Sequence, residues 1–173
     1  MNLSIMNKSH KGEPMKTLIV YVSVHHKNTE KIARTMADGL KAELVNPDHV
    51  DIHTLADYDV IGFGSGIYFG KHHETLLHLV DELPVLTKKA FIFSTSGLKD
   101  GVLKLLYKGD FHKALRTKLV EKGFTIIGEF SCRGFDTVGP LKVIGGINRG
   151  RPNEKDIESA KDFVQSLLQK AVA

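Results

Sequence analysis

The chain has 173 residues, 42% of them hydrophobic and 25% charged, with a formal net charge of +4 and a single cysteine. These figures describe one globular domain, long enough to bury roughly 70% of the surface of its unfolded chain. They exclude internal disulfides and any cysteine-based zinc site, no apolar run reaches the roughly 20 residues needed to span a bilayer, and no dense Lys/Arg run marks a nucleic-acid surface. The lone Cys132 suits a reducing compartment and a cytoplasmic location, and reads as a small buried or half-buried residue rather than a reactive thiol.

Residues 1–14 are polar and aperiodic, without the apolar centre of a signal peptide, so a disordered lead-in is expected, with the folded domain over 15–173. Thr17 to Val22 then form an unbroken apolar, β-branched run, expected as a strand buried on both faces. Residues 23–29 (Ser-Val-His-His-Lys-Asn-Thr) follow as a polar loop. A helix starts at Thr29 or Glu30, with Ile32, Ala33, Met36, Ala37 and Leu40 on one side. A helix start offers unpaired N–H groups and a positive dipole end, a natural seat for phosphate. The hydroxyls of Ser23 and Thr29 and the amide of Asn28 add donors there. Equally, Thr29 reads as a plain N-cap in an ordinary strand-to-helix turn.

A short strand over 42–45 and a loop with a helical turn over 48–57 lead to a third strand, Asp59 to Phe63. Residues 64–70 (Gly-Ser-Gly-Ile-Tyr-Phe-Gly) are expected as a loop in which three glycines allow close backbone approach. Tyr68 and Phe69 would cover a planar ligand or pack on the sheet edge. A helix over 72–83, a strand over 90–93 and a hydroxyl-bearing loop at 94–97 come next. The apolar stretch 102–107 suggests one helical turn, Asp110 is expected to cap a helix through Lys122, and residues 124–130 form a fifth strand. Residues 132–152, with glycines at 134, 139, 145, 146 and 150, read as loop. A helix from 152–154 onward buries Ile157, Ala160, Phe163, Val164, Leu167 and Leu168.

This alternation calls for an α/β doubly wound parallel sheet of five strands, helices on both faces, with ligands beyond the carboxyl ends of the strands. In the order 2-1-3-4-5 the loops after strands one, three and four become neighbours and share one crevice.

The trio of segments 23–29, 64–70 and 94–97, with the Asn28-Thr29-Glu30 helix start, resembles the phosphate loop and the two isoalloxazine loops of flavodoxins, over about residues 16–170. The longer first loop, with the 65–70 pattern, is similar to the flavodoxin-like protoporphyrinogen oxidases. The acidic surface usual in flavodoxins is missing, and segment 132–152 has no simple counterpart in the short ones. The resemblance implies FMN as cofactor. It assigns phosphate contacts to Ser23, His25, Asn28 and Thr29 with backbone N–H groups of His26 and Lys27, and a flavin wall to Ser65, Gly66, Ile67, Tyr68 and Phe69. Thr95, Ser96 and Gly97 would meet the pyrimidine edge or the ribityl chain, and Gly134 and Phe135 the dimethylbenzene side. It further implies a backbone carbonyl near Gly66 that turns toward the reduced ring and favours its one-electron state.

Related outlines fail on particular residues. Segment 23–29 holds no glycine, which excludes the dinucleotide fingerprint and the P-loop. Strands one and three end in Val22-Ser23 and Gly64-Ser65, not in the acidic cluster of a receiver domain, and the first loop has no cysteine for a low-molecular-weight tyrosine phosphatase. His25-His26 and His72-His73 lie near the crevice without Asp or Glu at helical ligand spacing, so no metal is expected. Two functions fit: an electron carrier between redox proteins, and an FMN-dependent oxidoreductase acting on a quinone or a porphyrinogen. The apolar segments 102–107 and 141–147 would serve the latter as a hydrophobic pocket or a membrane-surface patch, or would be core or a homodimer contact.

Overall fold

The computed structural model describes residues 15–97 and 110–172. Both the lead-in over 1–14 and the helical turn over 102–107 fall outside the described residues.

Strand β1 (Thr17–Val22) is buried almost throughout and lies between β2 (Glu43–Val45) and β3 (Val60–Tyr68), parallel to both. Strands β5 (Lys89–Ser96) and β6 (Thr125–Arg133) continue the parallel sheet in the order β2-β1-β3-β5-β6. This is the expected 2-1-3-4-5 order with one addition, the two-residue strand β4 (Lys71–His72), which pairs antiparallel with the end of β3. Ile127 is an extra residue in β6, because Ala90 pairs with Ile126 and Phe91 with Gly128.

Alternation along the central strands sends side chains to two cores. Leu18, Val20, Ile61, Phe63 and Ile92 pack with helices α2 (Glu74–Glu82) and α3 (Lys113–Glu121). Ile19, Phe91, Phe93 and Phe130 pack with α1 (Asn28–Leu40) and α4 (Glu154–Val172). Helix α1 buries the expected Ile32, Ala33, Met36, Ala37 and Leu40 and ends at Lys41, whose left-handed backbone returns its N–H to Ala37 O.

Five boundaries depart from expectation. The glycine-rich segment 64–70 is strand as far as Tyr68, and His72 belongs to β4 rather than to α2. Strand β5 runs on through Ser94, Thr95 and Ser96. Cys132 and Arg133 finish β6 opposite Thr95 and Ser96. Helix α3 starts at Lys113 with His112 at its cap position, and the Asp110 carboxylate accepts from the His112 N–H just ahead of it.

Candidate functional site

The carboxyl ends of β1, β3 and β5 open on one cleft of about 900 Å³ including its mouth. Its wall draws His25, Asn28 and Thr29 from the first loop, Gly66 to Gly70 from the β3–β4 hairpin, Thr95, Ser96 and Gly97 from the end of β5, and Phe135, Asp136 and Val138 from beyond β6.

His26 and Lys27 both take left-handed backbone conformations (φ 53° and 54°), and Lys27 occupies the α1 cap position with no side-chain bond. Two consecutive non-glycine residues there cost roughly 1–2 kcal/mol each, strain of the sort that collects at ligand sites. Thr29 is therefore not the N-cap. It lies inside the helix, buried, with its hydroxyl 2.9 Å from the Thr95 hydroxyl, which locks the start of α1 to the end of β5.

The side chains on either side of it turn to the segment after β6. Asn28 Nδ2 donates to Phe135 O at 2.7 Å, and His26 Nε2 lies 2.7 Å from Thr137 Oγ1 with its ring packed on Phe135. The Asn148 amide donates to Gly97 O, so the same segment also holds the third loop. Glycine is required at two of these crossings: a Cβ at Gly97 would sit 2.2 Å from the Asp136 carboxylate, and one at Gly134 would sit 2.7 Å from Asn28 Nδ2.

The hairpin supplies the aromatic wall. Phe69 (φ 49°) and Gly70 (φ 83°) form its two-residue tip, both with positive φ as a type I′ turn requires. Phe69 is 86% exposed over the cleft edge. Tyr68 packs between His25 and His73, and burial together with the Asp136 carboxylate raises its phenol pKa.

Among the expected site residues, His25, Asn28, Thr29, Gly66, Ile67, Tyr68, Phe69, Thr95, Ser96 and Gly97 line the cleft, whereas Ser23, His26, Lys27 and Ser65 do not. The Ser23 hydroxyl is buried without a hydrogen-bond partner, and Ser65 is fully buried inside the sheet. Val24, Asp136 and Val138 escaped the sequence reading. A valine in an otherwise polar loop was the signal for the first. For Asp136 the nearest signal was the aromatic Phe135 beside Gly134, which named the segment and not the carboxylate.

A family model for the flavodoxin domain matches residues 18–123. The chain belongs to the flavodoxin domain family. An uncharacterised protein of Methanocaldococcus jannaschii is 52% identical over 155 residues, covering 90% of this chain and 99% of that protein. Among solved structures, a flavodoxin from the domain Archaea superposes with a TM-score of 0.61 at 18% identity, covering 91% of this chain and 99% of that one. Oxidised flavodoxin 2 from Bacillus cereus gives 0.63 at 19% identity, covering 90% and 99%. Rubredoxin oxygen:oxidoreductase from Desulfovibrio gigas gives 0.65 at 18%, over 91% of this chain and 37% of that larger one. At these identities the structural likenesses establish the fold. In this flavodoxin domain, no helix among the described residues is long and apolar enough to cross a membrane.

Proposed function

We propose that the cleft binds FMN and that the protein is an electron carrier between redox proteins, cytoplasmic in location. The observation that carries this reading is the meeting of three loops, distant in sequence, on one cleft with an aromatic wall. Two further features fit a phosphorylated planar group. A buried, unpartnered Ser23 hydroxyl stands in the loop that runs into the N-terminus of α1, where an anion is favoured. Exposed Phe69 offers an apolar face held out by a strained backbone.

In this reading the phosphate is held by Ser23, His25, Asn28, Thr29 and the N–H groups of His26 and Lys27. Because His26 and the Asn28 amide nitrogen are already bonded to segment 135–137, their side chains shape the loop and leave the phosphate mainly to backbone donors and hydroxyls. Gly66, Ile67, Tyr68 and Phe69 form the wall, with Ser65 behind it, and Thr95, Ser96 and Gly97 meet the opposite edge. Bound there, FMN supplies one- and two-electron transfer, while the chain sets its potentials by hydrogen bonding, burial and nearby charge.

One observation favours a second reading, an FMN-dependent oxidoreductase of the quinone or porphyrinogen type. Val143 and Ile144 are 90% and 70% exposed in the segment that carries the fourth side of the cleft, as a site for an apolar substrate would want. The purified protein is expected to be yellow and to release FMN on denaturation. Stepwise reduction should give two separated one-electron steps. Colourless protein that ignores added FMN would end the reading, and rapid NAD(P)H–quinone turnover without a partner would favour the oxidoreductase.

A further inference from the structure

Behind the cleft wall lies a buried polar network that the FMN reading does not use. Ser94 Oγ is 2.8 Å from His112 Nε2, and His112 Nδ1 is 2.9 Å from Glu129 Oε2. That is the spacing of a hydrolytic triad, yet Ser94 is fully buried in mid-sheet and lines no part of the cleft, so no substrate carbonyl reaches it. The second limb of the network, at Ser65 and His72, does reach the cleft wall.

Ser65 Oγ has three neighbours: Gly66 O at 2.7 Å, His72 Nδ1 at 2.9 Å and the His73 N–H at 3.0 Å. The hydroxyl has one hydrogen, and the His73 N–H must donate to it. Were that hydrogen given to His72 Nδ1, the Gly66 carbonyl would face the hydroxyl oxygen at 2.7 Å with no proton between them. His72 would then also bury an N–H at Nε2, an atom that has no partner. Given instead to Gly66 O, it leaves His72 donating from Nδ1 and Nε2 as a bare lone pair, the lesser penalty for a buried group. Burial, with His112 close by, pushes the His72 pKa well below the ordinary histidine value, so the ring is neutral and has the one tautomer to choose.

We propose that Ser65 and His72 are positioning residues that fix the Gly66–Ile67 peptide in the cleft wall. Gly66 and Ile67 both line the cleft. In a trans peptide the carbonyl and the N–H point opposite ways, so a Gly66 carbonyl tied to a fully buried hydroxyl turns the Ile67 N–H away from that hydroxyl. Reversing the peptide breaks the Ser65 bond and strips the hydroxyl of its acceptor. The resting chain thus opposes the carbonyl-outward arrangement that the resemblance to flavodoxins implied. For its ligand the proposal rests on the FMN reading.

The test begins on the flavin-free full chain. Nitrogen-15 NMR should find His72 protonated at Nδ1 and bare at Nε2 near neutral pH. Ser65→Ala, which frees the Gly66 carbonyl, should shift the Ile67 amide resonance, and the His73 N–H, deprived of its acceptor, should exchange with solvent roughly tenfold faster. With FMN added, Ser65→Ala and His72→Leu should weaken binding of the oxidised cofactor by roughly threefold to tenfold and move the first reduction potential. His72→Asn, whose amide places a donor where Nδ1 was, should restore both. A His72 protonated at Nε2, or an Ile67 amide resonance unmoved in Ser65→Ala, overturns the proposal, and the tautomer measurement decides it even if no variant folds. Wild-type protein that takes no FMN ends the flavin reading instead, while the flavin-free measurements still decide the clamp.

Discussion

Among the described residues the side chains of Thr17, Ser23 and His72 each leave a buried polar atom unmet, and the last two make opposite predictions. The Ser23 hydroxyl is buried and unpartnered beside the start of α1. A group kept in that state for folding alone is a net cost of about 1–3 kcal/mol. Ser23→Ala should therefore leave the flavin-free protein as stable or up to about 1 kcal/mol more stable, while FMN affinity falls by roughly an order of magnitude. Urea unfolding paired with a binding titration checks both halves, and a clear loss of stability would show the hydroxyl to be structural. His72 carries the pH dependence. Its folded pKa is depressed from 6.5 by burial first and by His112 second, with Asp110 opposing, while Ser65 faces its other nitrogen. The unfolded chain therefore binds the proton more tightly. Stability is full above about pH 6.5 and is lost as pH falls toward the folded value, with a slope of at most about 1.4 kcal/mol per pH unit. His72→Asn should flatten that part of the profile in urea melts taken between pH 7 and pH 5.

At the scale of the element, the β3–β4 hairpin shows function set against propensity. A type I′ turn favours Asn-Gly, and this one has Phe69-Gly70. Phe69→Asn should raise hairpin stability by about 0.5–1 kcal/mol and lower FMN affinity by roughly threefold to tenfold, the aromatic contribution to stacking. Thermal melts and a binding titration on one variant read both changes, and affinity unchanged would remove Phe69 from the wall. The same hairpin shows where the sequence misleads. Its glycines read as loop because glycine usually marks a turn. Gly64 instead makes room within the sheet, as does Gly62 in the part already expected as strand: a Cβ on either would sit 2.2 Å from the ring of Phe91 or Phe93, their partners across β3 and β5. No local pattern carries that information, since it lies in a strand 29 residues away. Alternation of apolar runs with amphipathic helices was enough for the parallel order, because each such strand must be covered on both faces. The segment after β6 was legible only as irregular chain. Its Asp136–Ile147 bridge and its bonds to Asn28, His26 and Gly97 are set by long-range contacts.

For the whole molecule, those contacts mean that the cleft is assembled from four parts of the chain at once. Lys31 Nζ donates to Pro152 O at 2.8 Å, Asn28 reaches Phe135 across 107 positions, and Thr29 meets Thr95 across 66. A ligand seated among them binds only the folded state, so it should act as a global stabiliser. At a hundred times its dissociation constant FMN would add about 2.7 kcal/mol. For a domain of this length each kcal/mol raises Tm by about 2–4 °C, which gives a shift of roughly 5–11 °C. Riboflavin shares the ring and lacks the phosphate. If the strained turn at His26 and Lys27 and the start of α1 hold that phosphate, riboflavin at equal concentration should produce a distinctly smaller shift, and the FMN shift should shrink in Ser23→Ala and not merely start from a different Tm. Equal shifts from the two ligands would separate the ring from the phosphate loop and leave α1 with no role in binding. No shift from either would mean that the four segments meet for packing alone, and the aromatic wall at Tyr68 and Phe69 would need another occupant.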